Sequence, residues 1–178
     1  MTGYDLIRER QSVRNYENKK VDKETITKVI DLAKFAPSWG NTQIVRYTLI
    51  ENRLLIEKIG ALAVNGFSYN TKTLSKAPSL IVLSYLKGKS GKIENVEESD
   101  MDWEAFDVGI ACQTFCLAAK NYGVATCIMG IIDQKIISQL IDLDEDQSIG
   151  AIITVGYQSG VANSPGRIDT KELIKYID

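Results

Sequence analysis

Two polar concentrations in this sequence carry residue types that could do chemistry. In the first, "RERQSVR", Arg8, Arg10 and Arg14 fall within seven residues, with Gln11 and Ser12 between the last two. A guanidinium binds phosphate or carboxylate through two parallel hydrogen bonds and a hydroxyl adds a donor, so the segment is either an anion site or a solvated charged turn. The second, "FAPSWGNTQ" at residues 35–43, places a proline, a serine, a tryptophan, a glycine and amides between two apolar segments. Pro, Ser, Gly and Asn are common turn residues, so this is either an ordinary helix-to-strand connection or a surface that grips a ligand.

Other chemistries fall away on composition. With no histidine, Ser-His-Asp and Cys-His mechanisms and most catalytic zinc sites are excluded. Cys112 and Cys116 lie four apart on one helix face, but two thiols without further ligands do not close a metal site, so packing is their reading and no metal is expected. "GKS" at residues 88–90 resembles the end of a phosphate loop, yet the first glycine of that motif would fall at Leu83, inside a strand. No G-x-G-x-x-G fingerprint supports a Rossmann-type dinucleotide domain either.

The elements that must position these residues can be read from composition and periodicity. A chain of 178 residues with 44% hydrophobic and 25% charged residues has the make-up of a single globular domain, residues 1–178. With 21 basic against 23 acidic residues there is no overall field for nucleic acid or an anionic membrane, so any binding site is local. The start lacks an apolar signal core, and the longest uncharged central stretch, residues 108–119, is too short to span a bilayer. Three cysteines make an odd number, better read as free buried thiols in a reducing compartment. These features together predict a cytoplasmic protein without a transmembrane span.

Residues 3–10 carry a short helix signal. Asp22 is placed to cap a second helix, with Val21 stapled to Ile26 and an apolar face through Val29, Ile30, Ala33 and Ala36, ended by Pro37. "RYTLIEN" reads as a strand, Asn52 as the cap of a third helix, and Asn65 and Gly66 as its breakers. "SLIVLSYL" is a strand apolar on both faces. Residues 87–102 form a polar loop; residues 103–122 form the longest helix, apolar almost all round except for Asp107, Gln113 and Thr114. "VATCIMGII", a helix capped by Asp133 and the strand "SIGAIITVGY" complete the core before a tail to Asp178. The pattern predicts an α+β layered fold with one sheet packed on the long helix.

Taken in order, four segments resemble the nitroreductase family across nearly the whole chain. "RERQSVRNY" is similar to its Arg-x-Ser-x-Arg segment, and "APSWGNTQ" to its Pro-Ser-x-x-Asn-x-Gln loop. "FDVGIACQTFCLAAKNYGVATCIMG" resembles its central helix, glycine turn and strand, and "SPGRIDTKELIKYID" its basic C-terminal segment.

The resemblance implies a mixed, mainly antiparallel sheet packed with helices, in an intertwined homodimer with one FMN per interfacial site. NADH or NADPH would reduce the flavin, and hydride would pass from it to nitroaromatics, quinones or a similar small acceptor by a ping-pong mechanism. By the same carry-over, Arg10 and Arg167 would hold the phosphate, with Gln11 beside them. Ser12 would contact the ribityl or phosphate end, and Arg14 would face the N1/O2 edge of the ring. Pro37, Ser38, Trp39 and Asn41 would come from the other subunit; Asn70 would bond the pyrimidine edge, and backbone amides near Met129 and Gly130 would lie close to N5. No side chain would act as acid or base, since the chemistry belongs to the flavin.

The chain departs from the family pattern at Gln43, Ile44, Val45 and Arg46, and Thr73 stands where a second basic residue is often found, between Lys72 and Lys76. Two other readings stay open at this level: a related flavin reaction such as reductive dehalogenation or enone reduction, and a non-catalytic protein that stores or senses FMN.

Overall fold

Short polar residues open most of the helices, as local hydrogen-bond accounting requires. In the computed structural model, which describes residues 2–64, 68–92, 101–162 and 164–177, helix α1 (Gly3–Glu9) starts with a reciprocal box between Thr2 and Asp5. Asp22 accepts the Thr25 N–H at 2.8 Å to open α2 (Lys23–Ala33), while Val21 and Ile26 bury in one cluster, as a hydrophobic staple demands. Asn52 opens α3 (Arg53–Leu62) in the same way. α4 (Ser68–Lys76) follows, then α5 (Trp103–Asn121) capped by Asp102 and α6 (Gln134–Ile141) capped by Asp133.

Two of these differ from the sequence reading. α2 closes at Ala33 rather than at Pro37, because the Phe35 and Ala36 N–H groups bond carbonyls only three residues back and tighten the chain into a turn before the proline. α4 has no counterpart in the sequence pattern. Its sequence, SYNTKTLSK, lacks an apolar stripe, and only Thr73 and Leu74 are buried. A neighbour completes it: the Arg53 guanidinium of α3 donates to the carbonyls of Ser75 and Ala77, two of the orphan acceptors at the C-terminal end.

The strands β1 (Val45–Ile50), β2 (Ser79–Leu86), β3 (Ala125–Met129) and β4 (Gln147–Gly156) form one sheet in the order β1-β2-β4-β3. All three ladders are antiparallel, and the one parallel pairing among the described residues is an isolated bridge from Ser12 to Thr126. This is the α+β architecture expected.

The period-2 alternation of the central strands divides the core into two layers. Ile81, Leu83, Ile153 and Val155 face α2 and α5, where Phe115 is wholly buried; sealing one such ring contributes about 1.5–3 kcal/mol. Leu80, Val82 and Ile152 face α3 and α6 through Ile56, Ile59 and Ile137. A register shift leaves Gly150 between Ile149 and Ala151 as the extra residue of β4, and a side chain there would run into Val108. That glycine lets α5 lie close on the sheet. No helix among the described residues is long and apolar enough to cross a membrane.

Candidate functional site

The arginine segment is laid along the β3 edge by backbone pairing. Val13 donates its N–H to the Thr126 carbonyl at 2.9 Å, Glu17 to Tyr157, and Ser159 to Asn15. Val13 and Tyr16 turn into the core, while Arg14 and Asn15 between them are exposed. The Tyr16 hydroxyl locks the segment, donating to the Val13 carbonyl at 2.7 Å and lying 2.7 Å from the Thr154 hydroxyl; burial pushes its phenol pKa far above the ordinary value.

What this leaves on the surface is positive. Arg14, Ser12, Asn15 and the tail residues Ser159, Val161 and Ala162 line a cleft of about 200 Å³. Arg10 lines a neighbouring one with Gln11, Lys120 and Cys116. Neither Arg10 nor Arg14 forms an ion pair with a carboxylate among the described residues. Lys76, at the end of α4, bonds the Asn15 side chain at 2.7 Å, which adds a third cation and brings the helix bearing Asn70 against this segment. Thr73 is turned away, its hydroxyl bonded back to the Tyr69 carbonyl. Further along the same edge β3 ends at Met129, whose side chain is buried. Gly130 has open space where a Cβ would stand, beside the exposed Ile128 and Ile131.

The amide loop is built differently. It precedes β1, and it holds three positive φ angles, 52° at Gly40, 56° at Asn41 and 50° at Gln43. Such angles persist in non-glycine residues only where surrounding contacts over-determine them. Here the Ser38 hydroxyl accepts the Gln43 backbone N–H at 2.9 Å, and the Asn41 side-chain oxygen Oδ1 accepts from the Gln43 side-chain amide at 3.2 Å. The Trp39 N–H donates to the buried Asp107 carboxylate of α5 at 2.9 Å. Pro37 and Asn41 are exposed and Ser38 and Trp39 half-buried; of these, Pro37 and Ser38 line a cleft of about 210 Å³ between α2, β1 and α5, with Gln43 and Asp107. Asp107 stood out in the sequence only as a charge on an otherwise apolar helix; that is the signal by which its role could be found.

Within one chain the two halves stand apart. β1 and β3 are the opposite edges of the sheet, and three strand spacings separate them by roughly 14 Å. Arg10, Gln11, Ser12 and Arg14 share the β3 edge with Met129 and Gly130, with α4 alongside, but Pro37, Ser38, Trp39 and Asn41 do not join them. Arg167 is exposed, and its guanidinium bonds only the carbonyls of Pro165 and Gly166 among the described residues. Nearby Ser164 shares a cleft with Gln11 and Arg8, so the tail passes the arginine segment.

The decoys resolve as packing and turns. All three cysteines are free and buried, and burial pushes the Cys127 thiol up. "GKS" is a turn onto α5: Gly88 takes a φ of 68°, Lys89 N–H bonds Glu104, and Ser90 bonds Asp107. No cluster of three or more His, Cys, Asp or Glu side chains suited to a metal occurs among the described residues.

Residues 7–157 match the sequence model of the nitroreductase family. The chain belongs to the nitroreductase family. Membership makes it an oxidoreductase. Among its relatives the protein DrgA of Synechocystis is 26% identical over 200 residues, covering 98% of this chain and 95% of that one. A crystallised nitroreductase family protein of Clostridium difficile superposes with a TM-score of 0.79 at 28% identity, over 99% of this chain and 98% of that one. A BluB-like flavoprotein of the same organism shares the fold with a TM-score of 0.81 at 23% identity, over the full length of both chains.

Proposed function

We propose that this nitroreductase-family chain is an FMN-dependent enzyme, one domain across residues 1–178. It works as a homodimer that takes reducing equivalents from NAD(P)H and passes them to nitroaromatic, quinone or similar small acceptors by a ping-pong mechanism. NAD(P)H as the reductant follows the relatives, several of which carry it in their names. The observation that carries the reading is the pair of half-sites: Arg10 and Arg14, without a carboxylate partner among the described residues, along the β3 edge, and a donor-rich loop held in a strained shape at the β1 edge.

The donor set fits FMN. A phosphate needs fixed cations, which Arg10 and Arg167 supply, and Gln11 and Ser12 add donors beside them. The flavin ring needs donors at its pyrimidine edge and an uncluttered face; Arg14 and Asn70 meet the first need, and the open space at Gly130 meets the second. When bound, FMN would supply the redox chemistry, accepting hydride from NAD(P)H and passing it to the acceptor. The chain's own work is position and field. Arg14 would hold a positive charge beside the flavin's pyrimidine edge, a field in place before any reaction. Backbone amides at Met129 and Gly130 would hydrogen-bond the flavin there. No histidine, and no side-chain proton donor, is needed for such a transfer.

A second copy of the chain supports the rest. The roughly 14 Å across the sheet keeps Ser38, Trp39 and Asn41 from their own chain's arginines. A partner's loop, lent across an interface, meets them instead. The tail leaves Leu173, Tyr176 and Ile177 exposed, and on α1 Tyr4 and Ile7 are exposed as well, apolar surface suited to cover by another protomer. Three free thiols suit a reducing cytoplasm.

Purified protein is expected to be yellow, to elute as a dimer and to bleach when NADH or NADPH is added without oxygen. A colourless protein that takes up no added FMN overturns the reading. Bound FMN that neither nucleotide reduces points instead to storage.

A further inference from the structure

Asp107 lies on the apolar helix α5 and is 2% exposed, a position where a carboxylate persists only if its oxygens are hydrogen-bonded. Both oxygens are committed to segments outside the helix. Oδ1 accepts the Trp39 backbone N–H at 2.9 Å, and Oδ2 accepts the Ser90 hydroxyl at 2.7 Å. Trp39 leads directly into the left-handed residues Gly40 and Asn41. Two backbone bonds close the loop's turn, from the Asn41 N–H to the Ser38 carbonyl and from the Thr42 N–H to the Trp39 carbonyl. Its internal side-chain bonds, Ser38 with Gln43 and Gln43 with Asn41, are exposed, so water competes for them. The bond to Asp107 is the sheltered side-chain bond.

We propose that Asp107 is a positioning residue for the cofactor site of the opposite subunit. Through the Trp39 N–H it holds the loop in the strained shape that presents Ser38 and Asn41, and through Ser90 it fastens that loop to the segment leaving β2. The proposal rests on the reading that this loop is lent to the partner's FMN. It adds a residue that touches neither cofactor nor substrate, and it predicts that a lesion at Asp107 is felt across the dimer interface rather than in its own chain's arginine half.

Two measurements test it. The first is amide hydrogen exchange over residues 37–43 in the FMN-loaded dimer. Asp107→Asn keeps an acceptor for Trp39 and a donor for Ser90, so exchange at Trp39 should stay within about threefold of wild type, whereas Asp107→Ala should speed it roughly tenfold or more. Equal protection in the alanine variant overturns the proposal, and so does an asparagine variant as unprotected as alanine. If Asp107→Ala does not fold, Ser90→Ala replaces it: it leaves a buried carboxylate oxygen unpaired, so the melting temperature should fall and Trp39 exchange should speed about threefold beyond the general loosening, and no such excess at Trp39 overturns the link through Ser90.

The second measurement counts FMN in mixed dimers joining an Asp107→Ala subunit to an Arg10→Ala subunit. Both lesions then fall in one site and leave the other intact, so one FMN per dimer should bind with wild-type affinity. If Asp107 served its own chain's arginines, each site would carry one lesion and no wild-type site would remain, which overturns the proposal. A wild-type chain that binds no FMN or is not a dimer sinks the functional reading itself, while the exchange at Trp39 still judges whether Asp107 holds the loop.

Discussion

The β3 edge and the β1 edge of the sheet each carry half of the candidate site, and they are held by different physics. At the β3 edge the arginine segment is extended and backbone-paired to Thr126 and Tyr157, with Tyr16 buried beneath it. Its function needs charge placed at the surface, and ordinary strand geometry delivers that without strain. At the β1 edge the loop takes left-handed backbone angles and no ladder supports it; two backbone bonds close its turn, and side chains add the rest, Ser38 from within and Asp107 from α5. Charge can be offered by any regular element; a particular concave arrangement of donors needs contacts from several parts of the chain.

That contrast can be broken or sharpened by substitution, with the largest effect expected at the charged edge. Arg10→Ala should weaken FMN binding about tenfold to hundredfold, the worth of a charge-assisted contact of roughly 1.5–3 kcal/mol, read by fluorescence titration; unchanged affinity would remove Arg10 from the phosphate site. At the strained edge, Asn41→Ala should lower stability by about 1–2 kcal/mol because alanine resists a positive φ, whereas Asn41→Gly accepts it. Both should lose FMN affinity, but only the alanine variant should melt lower. Equal melting of the two would mean that the Gln43 bond, and not the backbone angle, holds the loop.

Arg14→Ala should lower the reduction potential of the bound flavin by about 30 mV, equivalent to about 1.4 kcal/mol for two electrons, since the reduced ring loses its cation. Redox titration against reference dyes reads the shift, and a constant potential denies Arg14 that place. The smallest effect belongs outside both halves: Asn52→Ala removes the α3 cap and should cost about 1 kcal/mol in denaturant unfolding while leaving FMN affinity alone. A loss of affinity there would mean that the charged edge depends on α3 and α4 more than its own pairing suggests.

Much of the scaffold was legible because its signals are local. Asp22, Asn52 and Asp133 cap the helices they were read to cap, since an N-cap acts on an N–H three residues away. The run at residues 79–86 is the central strand β2, because a strand buried on both faces must be apolar at every position. α4 was illegible for the opposite reason: the group that satisfies its end is Arg53, more than twenty residues earlier. The same applies to Ser90, which reads as part of a polar loop and is buried against Asp107. Lys76 reads as one lysine among several until α4 folds and carries it to Asn15.

By itself the sequence determined the chemistry on offer: no histidine, three arginines ahead of a proline-amide loop, and a long apolar helix, in an order that belongs to the nitroreductase family. It marked the buried strands and most helix starts too, because apolar runs and capping operate over a few residues. Only the tertiary structure decided where those groups stand. It put the arginines and the amide loop on opposite edges of one sheet, too far apart to meet within a chain, and it gave a buried aspartate the task of holding that loop's shape. Distances across a sheet and bonds between remote segments depend on how elements pack, which no local pattern of residues encodes.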